Sequence, residues 1–171
     1  MTEPVVSADS STFSVTSVKV ALADPVSIDK RLARWDIGVT SERFAEDVRL
    51  ATSQALRSPP EGGGRPVAVK LTLIDLTLDS TIPGLLQSPL ITPYPYSRIV
   101  AEVQVHDAQS GELLIRRNFL GDDNPGEHTF GSTVRSSFSG GKSLPEAYQD
   151  VVNGFADDLV RQFKVGFDKT T

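Results

Sequence analysis

The sequence predicts an α+β domain: a mostly antiparallel sheet of about four strands with two helices packed on one face. Two observations support this fold class. In four segments apolar residues alternate with polar ones, as in strands that face a core on one side. In two other segments apolar residues recur at the three- and four-residue spacing of an amphipathic helix. The order of these segments along the chain is β-α-β-β-β-α.

The first predicted strand starts at Phe13 and ends at Leu22. Its alternation slips between Ser17 and Val18, which predicts a β-bulge. Residues 24–39 are then expected to form a long connection, which carries the only tryptophan, Trp35.

The first predicted helix begins after Thr40, a residue type that caps helix N-termini well. Val39 and Phe44 occupy the two positions of a hydrophobic staple. The helix must end before residues 58–66, SPPEGGGRP, because proline and glycine together interrupt regular structure.

Three further strands follow. The second covers residues 67–79, and its apolar side chains change face beyond Ile74, which indicates a second bulge or a strand covered on both sides. The third begins near Ile99 and is joined to the fourth by residues 107–112, DAQSGE, whose composition is typical of a tight turn. The inner face of the fourth strand is predicted to consist of Leu113, Ile115 and Phe119.

The last helix has a clear N-terminal signal. Ser143 and Glu146 have the spacing of a capping box, and Pro145 lies in the first turn, where proline is tolerated. A continuous apolar stripe follows at helical spacing: Leu144, Ala147, Tyr148, Val151, Val152, Phe155, Leu159, Val160 and Phe163.

Length and composition limit the class of protein. A chain of 171 residues fits one domain, predicted here as residues 13–168 after a flexible leader, residues 1–12. The net charge of −5 argues against nucleic acid as a partner. The absence of cysteine excludes disulfides and thiolate chemistry. The first residues contain neither a basic nor an apolar stretch, so no signal peptide is expected in this form.

Residues 80–97, STIPGLLQSPLITPYPYS, are the most unusual segment, because eighteen residues pass without a charge. Four prolines exclude a helix interior or a central strand, and a long connection of this kind is usually functional or disordered. The segment could form a lid over the core, a stiff spacer or a binding surface. The predicted partner-binding residues are Trp35 and six residues of this segment: Leu85, Leu86, Leu90, Ile91, Tyr94 and Tyr96.

Topology predicts where this segment lies. The first two strands are expected to be parallel and joined by a right-handed crossover, and the next two to continue as an antiparallel meander. The connections 24–39, 80–97 and 121–142 then leave the sheet at one end. Loops grouped on a rigid scaffold often bind partners, so this end is the predicted binding rim.

Signals for chemistry are weak. SGGKS at 139–143 lacks the first glycine of a phosphate-binding loop, and DDNPGEH at 122–128 matches a calcium loop only in fragments. Neither His106 nor His128 belongs to a catalytic motif. No cofactor, metal or catalytic residue is therefore predicted, and the chain is expected not to be an enzyme.

A basic cluster beside the tryptophan has two interpretations. It could hold a phosphate or an anionic sugar, with the indole as a stacking surface. Alternatively, Trp35 closes the end of the core while the basic side chains remain solvated. The second interpretation is favoured for Lys30, Arg31 and Arg34.

The element order, the strand pair RIVAEVQVHDAQSGELLIRRNF (98–119) and the closing helix AYQDVVNGFADDLVRQF (147–163) resemble small Gram-negative envelope lipoproteins of the YajG-like and LptE-like groups. The resemblance covers residues 13–165. It implies a non-enzymatic protein on the periplasmic side of a membrane, held there by a lipidated N-terminal cysteine, that assists an envelope complex. This chain contains neither that cysteine nor a signal sequence.

The sequence thus favours a non-catalytic periplasmic module that binds a protein partner through its loop rim and is tethered at its N-terminus. One alternative is a small-ligand or metal-binding domain, including an enzyme, that uses Trp35 and residues 122–128 at the same rim. Another is a cytosolic or phage-encoded assembly protein. The sequence does not define the oligomeric state.

Overall fold

The computed structural model describes residues 13–57, 64–78, 97–122 and 143–165. Within these ranges the chain forms four strands and three helices. In chain order they are β1 (Phe13–Leu22), α1 (Pro25–Trp35), α2 (Ser41–Ala55), β2 (Arg65–Thr77), β3 (Arg98–Asp107), β4 (Leu113–Asp122) and α3 (Leu144–Val165).

The four strands form one mixed sheet in the order β1-β2-β3-β4. β1 and β2 are parallel, and the remaining neighbours are antiparallel. The predicted α+β class is confirmed. Each of the two strands for which an irregularity was predicted has a shift of register. In β1 it lies between Val15 and Ser17, just before the predicted position between Ser17 and Val18, and in β2 it lies between Leu73 and Asp75.

α2 and α3 contact each other and pack on the same face of the sheet, α2 over β1 and α3 over β3 and β4. Their predicted starts are confirmed. Thr40 accepts a hydrogen bond from the Arg43 N–H at 3.2 Å, and Ser143 accepts one from the Glu146 N–H at 3.4 Å. Between helices and sheet lies a buried core whose largest members are Phe44, Phe155, Ile28, Leu32, Leu71, Leu73, Leu76, Ile99 and Leu159.

A polar contact joins α2 to α3 at the edge of this core. The buried Tyr148 hydroxyl donates to the Asp47 carboxylate at 2.8 Å, and Arg43 pairs with the same carboxylate at 2.9 Å. Burial and this hydrogen bond raise the pKa of Tyr148 far above its ordinary value. The phenol therefore stays protonated and can keep donating to Asp47.

The prediction of a connection over residues 24–39 was wrong, because most of it is helix α1. Asp24 caps the helix by accepting from the Ser27 N–H at 3.1 Å, and Pro25 occupies its first turn. Ile28 and Leu32, four residues apart, are both buried. The order is therefore β-α-α-β-β-β-α. The cap and this spacing were available in the sequence, but a helix of three turns offers few periodic positions by which to recognise it.

The inner face of β4 also differs from the prediction at one residue. Val105 of β3 pairs with Ile115 and His106 with Leu113, so Leu114 is an extra residue at a shift of register. Leu114 is buried and Leu113 only partly so. Strict alternation from Leu113 could not reveal this shift.

The predicted turn between β3 and β4 is present. The Asp107 carboxylate accepts from the N–H groups of Gln109 and Ser110, and Arg65 donates to it at 2.7 Å. Gly111 has a positive φ of 75°, which glycine adopts without steric cost. Hydrogen bonds to its charged form hold the pKa of Asp107 well below its ordinary range.

Candidate functional site

The ends of the strands confirm the geometry from which the rim was predicted. Thr77, Arg98 and Asp122 lie in one cross-strand row, and β1 ends beside Leu73, four residues before the end of β2. The connections from β1, from β2 to β3 and from β4 to α3 therefore all meet this end. We call it the loop rim. The start of β1 and the 107–112 turn lie at the opposite end.

Helix α1 covers the part of β2 that extends beyond β1. Arg31 forms an ion pair with Asp75 at 2.5 Å and donates to the Leu76 carbonyl oxygen at 3.3 Å. This carbonyl would otherwise lie on an unpaired strand edge, and exposed edges invite unwanted pairing. Arg31 thus has a structural role, which leaves Lys30 and Arg34 as the exposed cations of the basic cluster.

Trp35 ends helix α1 and is partly buried against the hydrophobic core. This position agrees with the interpretation that the indole closes the end of the core. The residue is only partly buried, and partner binding through Trp35 stays a prediction.

At the rim end of β4 the backbone lies unusually close to α3. A Cβ atom added at Gly121 would lie 2.7 Å from the Phe155 Cα, so only glycine fits this contact. One residue further, the Asp122 N–H donates to the Asp158 carboxylate at 3.2 Å. Burial raises the pKa of Asp158, an effect that this hydrogen bond and Arg161 oppose. These contacts fix the last described residue of β4.

The sheet face opposite the helices is not covered by any described element. Its outward side chains are exposed or half-exposed in all four strands. We call this surface the open face. One cross-strand row on it is rich in cations: Lys19, Lys70, Gln104 and Arg116 are successive partners from β1 to β4.

The charges of this row are unevenly compensated. Arg116 lies 3.7 Å from Glu102, which also accepts from Gln104 at 2.5 Å. Among the residues that the structure describes, no carboxylate lies within ion-pair distance of Lys19 or Lys70. Two ammonium groups thus stand side by side on a protein whose net charge is −5. The alternation of β2 showed that Lys70 faces outward, but only the register places it beside Lys19.

A second row, nearer the loop rim, holds three apolar side chains of the open face. Val100 and Leu120 are direct partners in β3 and β4. In β2 the partner of Val100 is Asp75, which forms the ion pair with Arg31, and Ile74 is the extra residue of the bulge beside it. Leu120 is 51% exposed and Ile74 44%. Because the bulge turns Ile74 outward, this row depends on the shift of register in β2.

The other predicted site residues cannot be placed. Leu85, Leu86, Leu90, Ile91, Tyr94 and Tyr96 lie outside the described residues, as do residues 123–128 and 139–142 of the two weak motifs. Of the uncharged segment only Ser97 is described, and it is buried at the start of β3.

Within the four described ranges, no three His, Asp or Glu side chains are grouped so that they could hold a metal ion. None of the described helices is long and apolar enough to span a bilayer.

No protein-family model matches the chain, and no curated protein is similar to it in sequence. Several solved structures resemble it at very low identity. A provisionally named lipoprotein from Caulobacter crescentus CB15 has a TM-score of 0.44 and 7% identity, with 95% of each chain covered. A Xanthomonas campestris protein of the DUF330 family has a TM-score of 0.45 and 9% identity over 91% of this chain and 86% of that one.

A minor lipoprotein from Acinetobacter baumannii has a TM-score of 0.35 and 12% identity, over 87% of this chain and 90% of the other. With TM-scores below 0.5, these likenesses support no conclusion about this chain. Proteins named as lipoproteins are among these neighbours, and membership of the YajG-like or LptE-like groups stays a prediction.

Proposed function

We propose that this protein is a non-catalytic module of the cell envelope that binds a protein partner through the loop rim and assists an envelope complex. The observation that carries the proposal is the register of the sheet. It brings the ends of β2 and β4, the start of β3 and helix α1 to one end of a rigid scaffold. The charge-free segment 80–97 connects to this end, and grouped loops on such a scaffold often carry binding residues.

The opposite end of the sheet supports a tether. Phe13 begins β1 beside Arg65, so the chain before it joins the sheet away from the loop rim. A lipid anchor upstream of Phe13 would hold the rim away from the membrane surface. In this arrangement the protein is periplasmic and the rim meets its partner at a distance from the anchor.

The binding proposal is tested by replacing Leu85, Leu86, Tyr94 and Tyr96 together with Ser. We expect partner capture to be lost and the melting temperature to stay nearly unchanged, because a binding surface contributes little to the core. The readout is the yield of one reproducible photocrosslinked product from a probe at Leu90, a position that the variant leaves unchanged, in living cells. The matched control carries the probe at Leu50, an exposed leucine of α2.

Two results would contradict this proposal. A large fall in the melting temperature of the four-residue variant would show that the segment covers the core. Equal crosslinking yields from the probes at Leu90 and Leu50 would show that the rim has no binding preference.

The envelope proposal has a separate test. The reading frame upstream of Thr2 should encode a signal peptide that ends in a lipidated cysteine, and the natural product should incorporate labelled palmitate and sediment with membranes. A natural start at Met1 with no incorporation of palmitate would exclude the lipoprotein assignment and leave binding at the rim to be judged by the crosslinking experiment.

A further inference from the structure

We infer that the open face of the sheet binds an acidic polypeptide segment that also carries apolar residues. The inference rests on the proposed function in one respect, that the partner is a protein, and it concerns a different surface. It follows from the pairing of Lys19 with Lys70, from the lack of a described carboxylate within ion-pair distance of either lysine and from the exposed apolar side chains beside them.

The lysine pair is unfavourable in the isolated protein. Lys19 and Lys70 are direct partners in neighbouring strands and point to the same face. Like charges placed directly opposite each other destabilise a sheet. A carboxylate between the two ammonium groups would change this repulsion into two attractions, and hydrogen bonds that involve charged groups are the stronger ones. The pair is therefore suited to an anionic partner.

The apolar row indicates that the partner also carries apolar groups. Lys70 and Ile74 are four residues apart on β2, about 13 Å along the strand. Ile74 and Leu120 are among the most exposed large apolar side chains of the described residues. An occupant that meets both rows must combine carboxylates and apolar groups over this distance, which a few residues of extended polypeptide achieve.

The twist of the sheet favours a polypeptide over an anionic lipid surface. Adjacent strands rotate by about 20–25°, so the outer strands of a four-stranded sheet differ in direction by about 60–75°. A flat layer of headgroups cannot follow such a saddle and would meet only part of the cationic row. A flexible chain can adapt to its shape.

The test uses poly-L-glutamate in dilute buffer, with binding followed by amide chemical shifts of the whole chain. We expect saturable binding with the largest shifts around Lys19 and Lys70. The double variant Lys19→Gln/Lys70→Gln should bind about tenfold more weakly, as expected for the loss of two solvent-exposed ion pairs. The matched control, Lys30→Gln/Lys164→Gln, removes the same charge from exposed positions on α1 and α3 and should retain the affinity.

A peptide with a block of glutamates followed by leucines tests the apolar row. It should bind more tightly than a glutamate block alone, and Ile74→Ser/Leu120→Ser should abolish that gain. The variant with the four rim residues replaced by Ser should bind poly-L-glutamate like the wild-type protein. Failure of the open face can therefore be distinguished from failure of the rim.

Several outcomes would overturn the inference. An equal loss of affinity in the two lysine double variants would show that binding depends only on total charge. Shifts confined to other surfaces, or no saturable binding, would remove the open face as a site. Binding to phosphatidylglycerol vesicles but not to poly-L-glutamate, lost in Lys19→Gln/Lys70→Gln, would assign the face to a lipid surface instead.

Discussion

The two faces of the sheet have the same backbone but opposite chemistry. On β2 the helices bury every second residue: 67, 69, 71 and 73. Lys70 and Ile74 point to the other face and are exposed. Alternation by one residue therefore decides whether a side chain stabilises the fold or is available for binding. Burial of apolar side chains on the covered face stabilises the fold, whereas the exposed side chains of the open face contribute little to its stability. Side chains there are free to serve another purpose.

The largest expected difference between the faces comes from the same substitution made on each. Leu71→Ala removes a fully buried side chain and should lower the free energy of unfolding by about 2–5 kcal/mol, because transfer and cavity costs add. Leu120→Ala, on the open face, should change it by less than about 0.5 kcal/mol. Urea denaturation measures both. A comparable loss at Leu120 would mean that something covers the open face in the isolated protein.

Gly121→Ala should have the next largest effect. The added methyl group would lie 2.7 Å from the Phe155 Cα, and the backbone of α3 can relieve this contact only by moving. Overpacking of this kind costs about 1–3 kcal/mol. The melting temperatures of Gly121→Ala and Leu120→Ala, measured by thermal unfolding, give this comparison. Equal melting temperatures would show that α3 is not held closely against β4.

Tyr148→Phe tests the polar contact at the edge of the covered face. Loss of the hydrogen bond to Asp47 should cost about 1 kcal/mol near neutral pH. The folded protein holds the pKa of Tyr148 above the ordinary value of 10.0, so this contribution is present below pH 10 and declines as the pH rises further. The wild-type protein should therefore lose more stability above pH 10 than the variant. Parallel pH profiles of unfolding would contradict the assigned hydrogen bond.

The smallest expected effect is on the open face and has the opposite sign. Lys19→Glu replaces a repulsive partner of Lys70 with an attractive one and should raise the free energy of unfolding by about 0.5 kcal/mol. The gain should shrink as salt is added, since such exposed charges are screened. Lys164→Glu on α3 is the control for total charge. An equal gain in Lys19→Glu and Lys164→Glu would show that the stabilisation comes from total charge and not from the pairing of Lys19 with Lys70.

The sequence alone was sufficient for the elements with strong local signals. The alternation around Leu71, the cap at Thr40 and the proline-tolerant start of α3 each depend on residues a few positions apart. An irregularity in β1 was also predicted, within two residues of the observed shift, and one in β2 as one of two alternatives, since a change of phase in the apolar pattern is itself local. The fold class and the end of the sheet at which the connections meet follow from these elements and from the handedness of the crossover.

Only the tertiary structure decided what depends on residues far apart in the chain. Arg31 contacts Asp75 and Leu76 because α1 packs against the end of β2. Lys19 and Lys70 are separated by fifty residues of sequence and meet only through the register of two parallel strands. Sequence patterns report which face a side chain takes along its own strand. Pairing between strands fixes its neighbours, and here those neighbours create the cationic row.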